Sequence, residues 1–138
     1  MSAGYEFFDH TADIGIKAQG TTLAELFVHL AQGLVELIAE DSALKPQHAR
    51  KIQLFADDAE SLLLAWLQEL LFWFSTDRFV PVDYRIEVTP TTVGGEVRGD
   101  TFDPARHPQG REVKAITRHL LQVQRHSGGW SGQVIVDI

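Results

Sequence analysis

Asp57-Asp58-Ala59-Glu60 precedes the most apolar part of the chain: Leu62-Leu63-Leu64-Ala65-Trp66-Leu67, an interruption at Gln68-Glu69, then Leu70-Leu71-Phe72-Trp73-Phe74. How this run is read decides the fold. A membrane-spanning helix needs about 20 predominantly apolar residues, and this run is both shorter and polar in its middle. The acidic residues before it are helix-start chemistry, because a carboxylate there accepts from orphan backbone N–H groups and complements the helix dipole. We therefore read a central helix packed on most sides, with Glu69 on its one polar stripe.

A second helix lies toward the N-terminus. Thr22-Leu23-Ala24-Glu25 has capping-box spacing. Leu23, Leu26, Phe27, Leu30, Leu34, Leu37 and Ile38 then recur every three or four residues, with Glu25, His29, Gln32 and Glu36 elsewhere on the wheel. The stretch Glu40 to Pro46 ends this helix. Tyr5 to Phe8 and Asp13 to Ala18 are rich in aromatic and branched residues and read as strands flanking a turn, Asp9-His10-Thr11-Ala12-Asp13. Ala49 to Phe55 reads as a further strand with Ile52 and Leu54 on one face.

Beyond Val80 the pattern becomes strand-like. Val82, Tyr84, Ile86 and Val88 alternate, Gly94-Gly95 marks a turn or bulge, and Asp100 to Gly110 is a loop. A strand from Val113 extends through His119, Leu121 and Val123. Gly128-Gly129 turns it into an antiparallel partner, Trp130 to Ile138. The expected fold is α+β, with two helices packed on a mostly antiparallel sheet of about seven strands in a single domain, 1–138.

Composition narrows the function classes. The 138 residues are 44% apolar and 22% charged, the balance of an ordinary globular protein. A net charge of −7 argues against a broad grip on RNA or DNA, which comes chiefly from Lys and Arg neutralising phosphates. With no cysteine there is no disulfide, thiolate metal site or cysteine nucleophile. No basic region followed by an apolar run opens the chain, so a cytoplasmic location without membrane association is expected.

The chemistry-bearing residues cluster at the two ends of the sequence. Asp9, His10 and Asp13 fall within five residues, and the final strand carries Asp137 beside Ile138. Hard divalent cations take oxygen ligands from carboxylates and main chain, so Asp9, Asp13, Asp137 and the carboxylate of Ile138 are candidate donors. An aspartate beside a turn is more often a cap of a backbone N–H group than a metal ligand, and both readings stay open. His10 has no second His or Cys at a zinc-ligand spacing and reads as a positioning or packing residue. Asp103-Pro104-Ala105-Arg106-His107-Pro108 reads as turn chemistry. Lys114 either faces a cleft or faces water. No phosphate-binding glycine loop or nucleophile elbow is present.

Four ordered stretches nevertheless resemble the archease family: Tyr5 to Ile16, Phe102 to His107, Glu112 to Thr117, and Gly129-Trp130 through Val134 to Ile138. The resemblance spans essentially the whole chain. It implies an accessory protein of tRNA splicing that acts with the RNA ligase joining 2′,3′-cyclic-phosphate and 5′-hydroxyl ends, promoting ligase guanylylation and multiple turnover without being the ligase. It also implies a carboxylate-bound divalent cation, calcium, at Asp13, Asp137 and the carboxyl or carbonyl oxygen of Ile138. Lys114 matches a lysine important for activation, while Asp9 and His10 match motif positions without an assigned role. Arg118 beside His119 departs from the aromatic expected there, which bears on the partner surface. The alternatives are a chaperone-like modulator of a tRNA methyltransferase, or a small metal-dependent phosphoester hydrolase with Asp9 or His10 as general base.

Overall fold

The structure, a computed structural model, describes residues 4–10, 13–39, 43–108 and 110–138, without the His10 side chain. Thr11 and Ala12 of the N-terminal motif, and Glu40 to Ser42 of the segment expected to end the first helix, lie outside the described residues. The elements run β1 Tyr5–His10, β2 Asp13–Gly20, α1 Leu23–Ile38, β3 His48–Phe55, α2 Ala59–Asp77, β4 Phe79–Thr89, β5 Thr92–Thr101, β6 Ala115–His126 and β7 Gly129–Asp137. The α+β class, both helices and the strand count are as expected. The strands divide between two antiparallel sheets, in the order β1-β2-β7-β6 and β3-β5-β4. Each helix packs against strands of both sheets, and one apolar cluster joins all of these elements. No described helix is long and apolar enough to cross a membrane.

Both helix starts follow their cap chemistry. The Thr22 hydroxyl accepts from the Glu25 N–H at 3.1 Å, while the Glu25 carboxylate reaches back to the Thr21 N–H at 2.9 Å, one residue earlier than in the usual box. Asp58 caps α2, accepting from the Ser61 N–H at 2.7 Å. Thr22→Ala removes one of these partners and is expected to cost about 1 kcal/mol, read as a fall in Tm of a few degrees with the far-UV spectrum unchanged. Along α1 the apolar positions are buried and Glu25, Gln32 and Glu36 are exposed. Helix α2 is covered on most sides, from Leu62 to Trp73, and only Phe72 among its large apolar residues is exposed.

Four expectations need correction. Strand β1 continues through Asp9 and His10, which pair with Ile14 and Asp13, so the N-terminal turn is tighter than expected. Gly94-Gly95 lies inside β5, paired on both sides; Gly95 has φ 141°, and a Cβ there would collide with the Arg85 carbonyl, so the glycine permits close strand approach and makes no turn. Asp100 and Thr101 end that strand and do not belong to the loop. The strand β6 begins at Ala115, leaving Lys114 just outside it, and is broken by a bulge between Thr117 and Gln122 where Leu120 takes φ 54°. The bulge reconciles two facing patterns: even-numbered Ile116 and odd-numbered Val123 both reach the core.

The 102–108 loop is closed by its own side chains, as its turn chemistry suggested. Asp103 accepts from the Ala105 N–H at 3.0 Å and from Arg106 Nε at 3.1 Å, and the Asp103 N–H donates to Nδ1 of the buried His107 at 2.8 Å. Beside it, buried Asp100 accepts from the Lys45 N–H, the Thr101 N–H and Gln47 Nε2. These bonds, led by that from Lys45 and aided by nearby His107, hold the Asp100 carboxyl below its ordinary value. A depressed folded-state pKa gives stability that is present above the unfolded value, about 3.9, and lost as pH falls through the folded one. Asp100→Asn is therefore expected to lower neutral stability and to flatten the acid-side decline, measured by denaturant midpoints between roughly pH 5 and pH 2.

Candidate functional site

The two ends of the chain meet at one end of the four-stranded sheet. In the β2–β7 register Asp13 stands opposite Asp137, and in the β6–β7 register Asp137 stands opposite Ala115. Directly opposite residues of an antiparallel pair put their side chains on one face with Cβ atoms about 4.5–5.5 Å apart. Strand alternation gives the face: Ile14, Ile16, Val134 and Val136 point into the core, so Asp13 and Asp137 point outward. Both aspartates are half-buried.

The next residues fix this end of the sheet. The Lys114 N–H donates to the Asp137 carbonyl at 2.7 Å, tying the approach to β6 onto the end of β7. Ile138 packs its side chain against the core, which anchors its main-chain oxygen atoms beside Asp137. Lys114 has its side chain exposed and has no ion-pair partner among the described residues.

Electrostatically the pair is unusual for its face. Like charges directly opposite one another are destabilising, whereas opposite charges stabilise. Elsewhere on the same face Lys17 and Glu6 pair across strands at 3.1 Å. The Asp13–Asp137 position thus places two acids where the sheet would otherwise favour a neutral or mixed pair. The donor set fits a hard cation in kind: two carboxylates with main-chain oxygen atoms of the neighbouring residue. No cluster of three or more His, Asp or Glu side chains suited to a metal occurs among the described residues, so further oxygens would come from main chain or water.

The sequence motif does not act as a unit. His10 stands opposite Asp13 in the register, but its side chain is outside the described structure. Asp9 pairs with Ile14, so it belongs to the opposite face, where it lines a cavity of about 350 Å³ with Phe7, Glu36 and Arg111. Thus Asp13 and Asp137 come together while Asp9 is turned away. Sequence reading missed what backs the acidic pair. The next outward row is Phe8, Gly15 and Ile135. The Phe8 ring lies over Gly15, where any Cβ would collide with it, and Ile135 is fully buried despite its outward position. The signal was available: a glycine within a β-branched run marks a close approach. Arg111 and Arg78 were also missed, both lining a cavity of about 520 Å³ beside α2; nothing in an isolated Arg on a loop distinguishes it from a solvated one.

Comparison with known proteins covers the whole chain. Residues 5–138 match the model of the archease protein family. A protein archease from Methanosarcina acetivorans is 36% identical over 97% of this chain and 95% of its own, and one from Pyrobaculum neutrophilum is 34% identical over 99% and 96%. The solution structure of protein 1598 from Methanobacterium thermoautotrophicum superposes with a TM-score of 0.86 at 30% identity, covering 99% of this chain and all of that one. A crystal structure from Thermotoga maritima, described as an archease and possible chaperone, matches with a TM-score of 0.66 at 21% identity over 95% of this chain and 94% of its own, which shows a shared fold.

Proposed function

The chain belongs to the archease family, and from that premise we propose that it is an accessory protein of tRNA splicing and RNA repair, activating the ligase that joins 2′,3′-cyclic-phosphate and 5′-hydroxyl RNA ends. The observation that carries this reading is the Asp13–Asp137 pair at the tip of the four-stranded sheet, with Ile138 and Lys114 fixed beside it. Asp13, Asp137 and a main-chain oxygen of Ile138 hold a divalent cation, calcium, whose charge offsets the paired carboxylates. Lys114, exposed next to the pair, makes the activating contact with the partner. The acidic tip docks near the ligase's own catalytic centre and favours its guanylylated, turnover-competent form. This chain joins no RNA itself, and its net charge of −7 leaves RNA binding to the partner.

That role is of the same kind as the description of the Thermotoga maritima protein as a possible chaperone. A protein that holds a catalytic partner in its productive form is chaperone-like in effect. The test is multiple-turnover ligation by the partner RNA ligase with and without the purified chain: added chain should raise the number of ligations per ligase, and chelation of calcium should remove the increase. Turnover limited to one round in both cases would overturn the reading, and recovery of a tRNA methyltransferase instead of the ligase in a pull-down would redirect it.

A further inference from the structure

Segment 110–116 runs along the C-terminal half of α2, and between them lie two adjoining cavities. One, about 520 Å³, is lined by Phe74, Ser75, Arg78, Phe102 and Arg111 among others. The other, about 310 Å³, is lined by Gln68, Phe72, Ser75, Lys114 and Ile116 among others. Leu71 and Ser75 line both, so they form one groove, and its far end at Ala115 is the register position opposite Asp137.

Two features mark the groove. The end of the groove at Lys114 is apolar, lined by Leu71, Ile116 and Phe72, the last 59% exposed on an otherwise covered helix. Its three cations, Arg78, Arg111 and Lys114, have no carboxylate ion-pair partner among the described residues, as is also true of Lys45, Lys51, Arg118 and Arg125 outside it. Arg78 instead lies over the Phe74 ring at 5.4 Å. Glu112 also lines the groove, leaving three cations against one carboxylate within it, while Arg111 in addition lines the cavity it shares with Asp9 and Glu36.

We propose that this groove docks an acidic peptide segment of the partner protein, one with an apolar side chain seated against Phe72 between carboxylates that meet Arg111 and Lys114. The unpaired cations specify the charge of the occupant. Exposed Phe72 gives a seat for an apolar side chain, and the chain's net charge of −7 disfavours a nucleic acid strand, whose grip needs many cations. This inference deepens the proposed function, on which it rests for the partner being a protein: the acidic tip engages the catalytic centre while the groove beside it grips a separate segment. Phe72 and Arg111 lie outside the carboxylate pair.

The experiment is an NMR titration of the ¹⁵N-labelled full chain with three probes: a capped glutamate-rich peptide carrying one phenylalanine, the same peptide with glutamine for every glutamate, and an oligouridylate of equal charge. The acidic peptide should shift the amides of Phe72, Ser75, Arg111 and Lys114. Its Kd should rise about tenfold in Phe72→Ser and in Arg111→Gln, and about tenfold with the glutamine peptide. Absence of shifts in the groove, or equal affinity for the oligouridylate at the same amides, would overturn the proposal. Because the titration contains neither ligase nor calcium, its failure removes the groove alone, while failure of the activating role is read only in ligase turnover.

Discussion

Asp13→Asn and Asp137→Asn are each expected to weaken calcium binding by at least about 10–100-fold, since even residues that merely support metal ligands cost that much when replaced. Asp13 and Asp137 are cross-strand partners, so each contributes to the same outward position at the end of the sheet. An amide keeps the shape of a carboxylate but not its charge, and removing one charge also removes the repulsion that a cation relieves. The fold is expected to survive in both variants. The bond that closes the end of β7 runs from the Lys114 N–H to the main-chain carbonyl of residue 137, and Ile138 remains packed on the core. Calorimetric calcium titration, with far-UV circular dichroism as the control for folding, checks this. Unaltered affinity in either variant would remove that aspartate from the site.

The second large effect is on stability. Trp66 is fully buried, donates from Nε1 to the Phe27 carbonyl at 2.9 Å and meets the Tyr84 ring edge-on at 6.1 Å. Trp66→Ala removes the largest fully buried side chain, leaves a cavity and breaks the link between α2 and α1, an expected loss of about 3–5 kcal/mol. In a chain of this size that is a fall in Tm of roughly 10 °C or more. Since each helix packs against both sheets, the loss should affect the whole chain and appear as one shifted transition. Phe72→Ser, on the same helix but exposed, is expected to change stability by no more than about 0.5 kcal/mol. Thermal unfolding of the two variants side by side separates core packing from surface.

How far the sequence disclosed this fold depends on the range of the interactions involved. The caps at Thr22 and Asp58 and the apolar periodicity of α1 are local, and each was legible. The division into two sheets was not, because it depends on which distant strands pair. A run such as Ala49 to Phe55 reads identically whether it joins β5 or β2. Gly94-Gly95 was misread because a glycine doublet signals a turn by default, while here it serves the close pairing of β5 with its neighbours. The β6 bulge left its mark in the conflict between even-numbered Ile116 and odd-numbered Val123, which a regular strand cannot satisfy.

The site divides in the same way. Oxygen-ligand chemistry was visible in Asp9, Asp13 and Asp137, but spacing alone treated the three alike. Reading Asp9 into a turn hid that strand alternation puts it on the other face from Asp13, beside Arg111. The meeting of Asp13 with Asp137, 124 residues apart in number, is a property of sheet order β1-β2-β7-β6 and of nothing local. Lys114, expected within a strand, lies just before one, where its main chain closes on Asp137 while its side chain remains exposed.

The proposed function requires the paired aspartates at the sheet end to activate a partner ligase. It is tested most directly by measuring multiple-turnover ligation of RNA bearing 2′,3′-cyclic-phosphate and 5′-hydroxyl ends by the partner ligase, with calcium present. Wild-type chain is compared with folded Asp137→Asn at equal concentration. The predicted result is repeated turnover with the wild-type chain and a stimulation at least about tenfold lower with the variant; equal stimulation by the two proteins would contradict it.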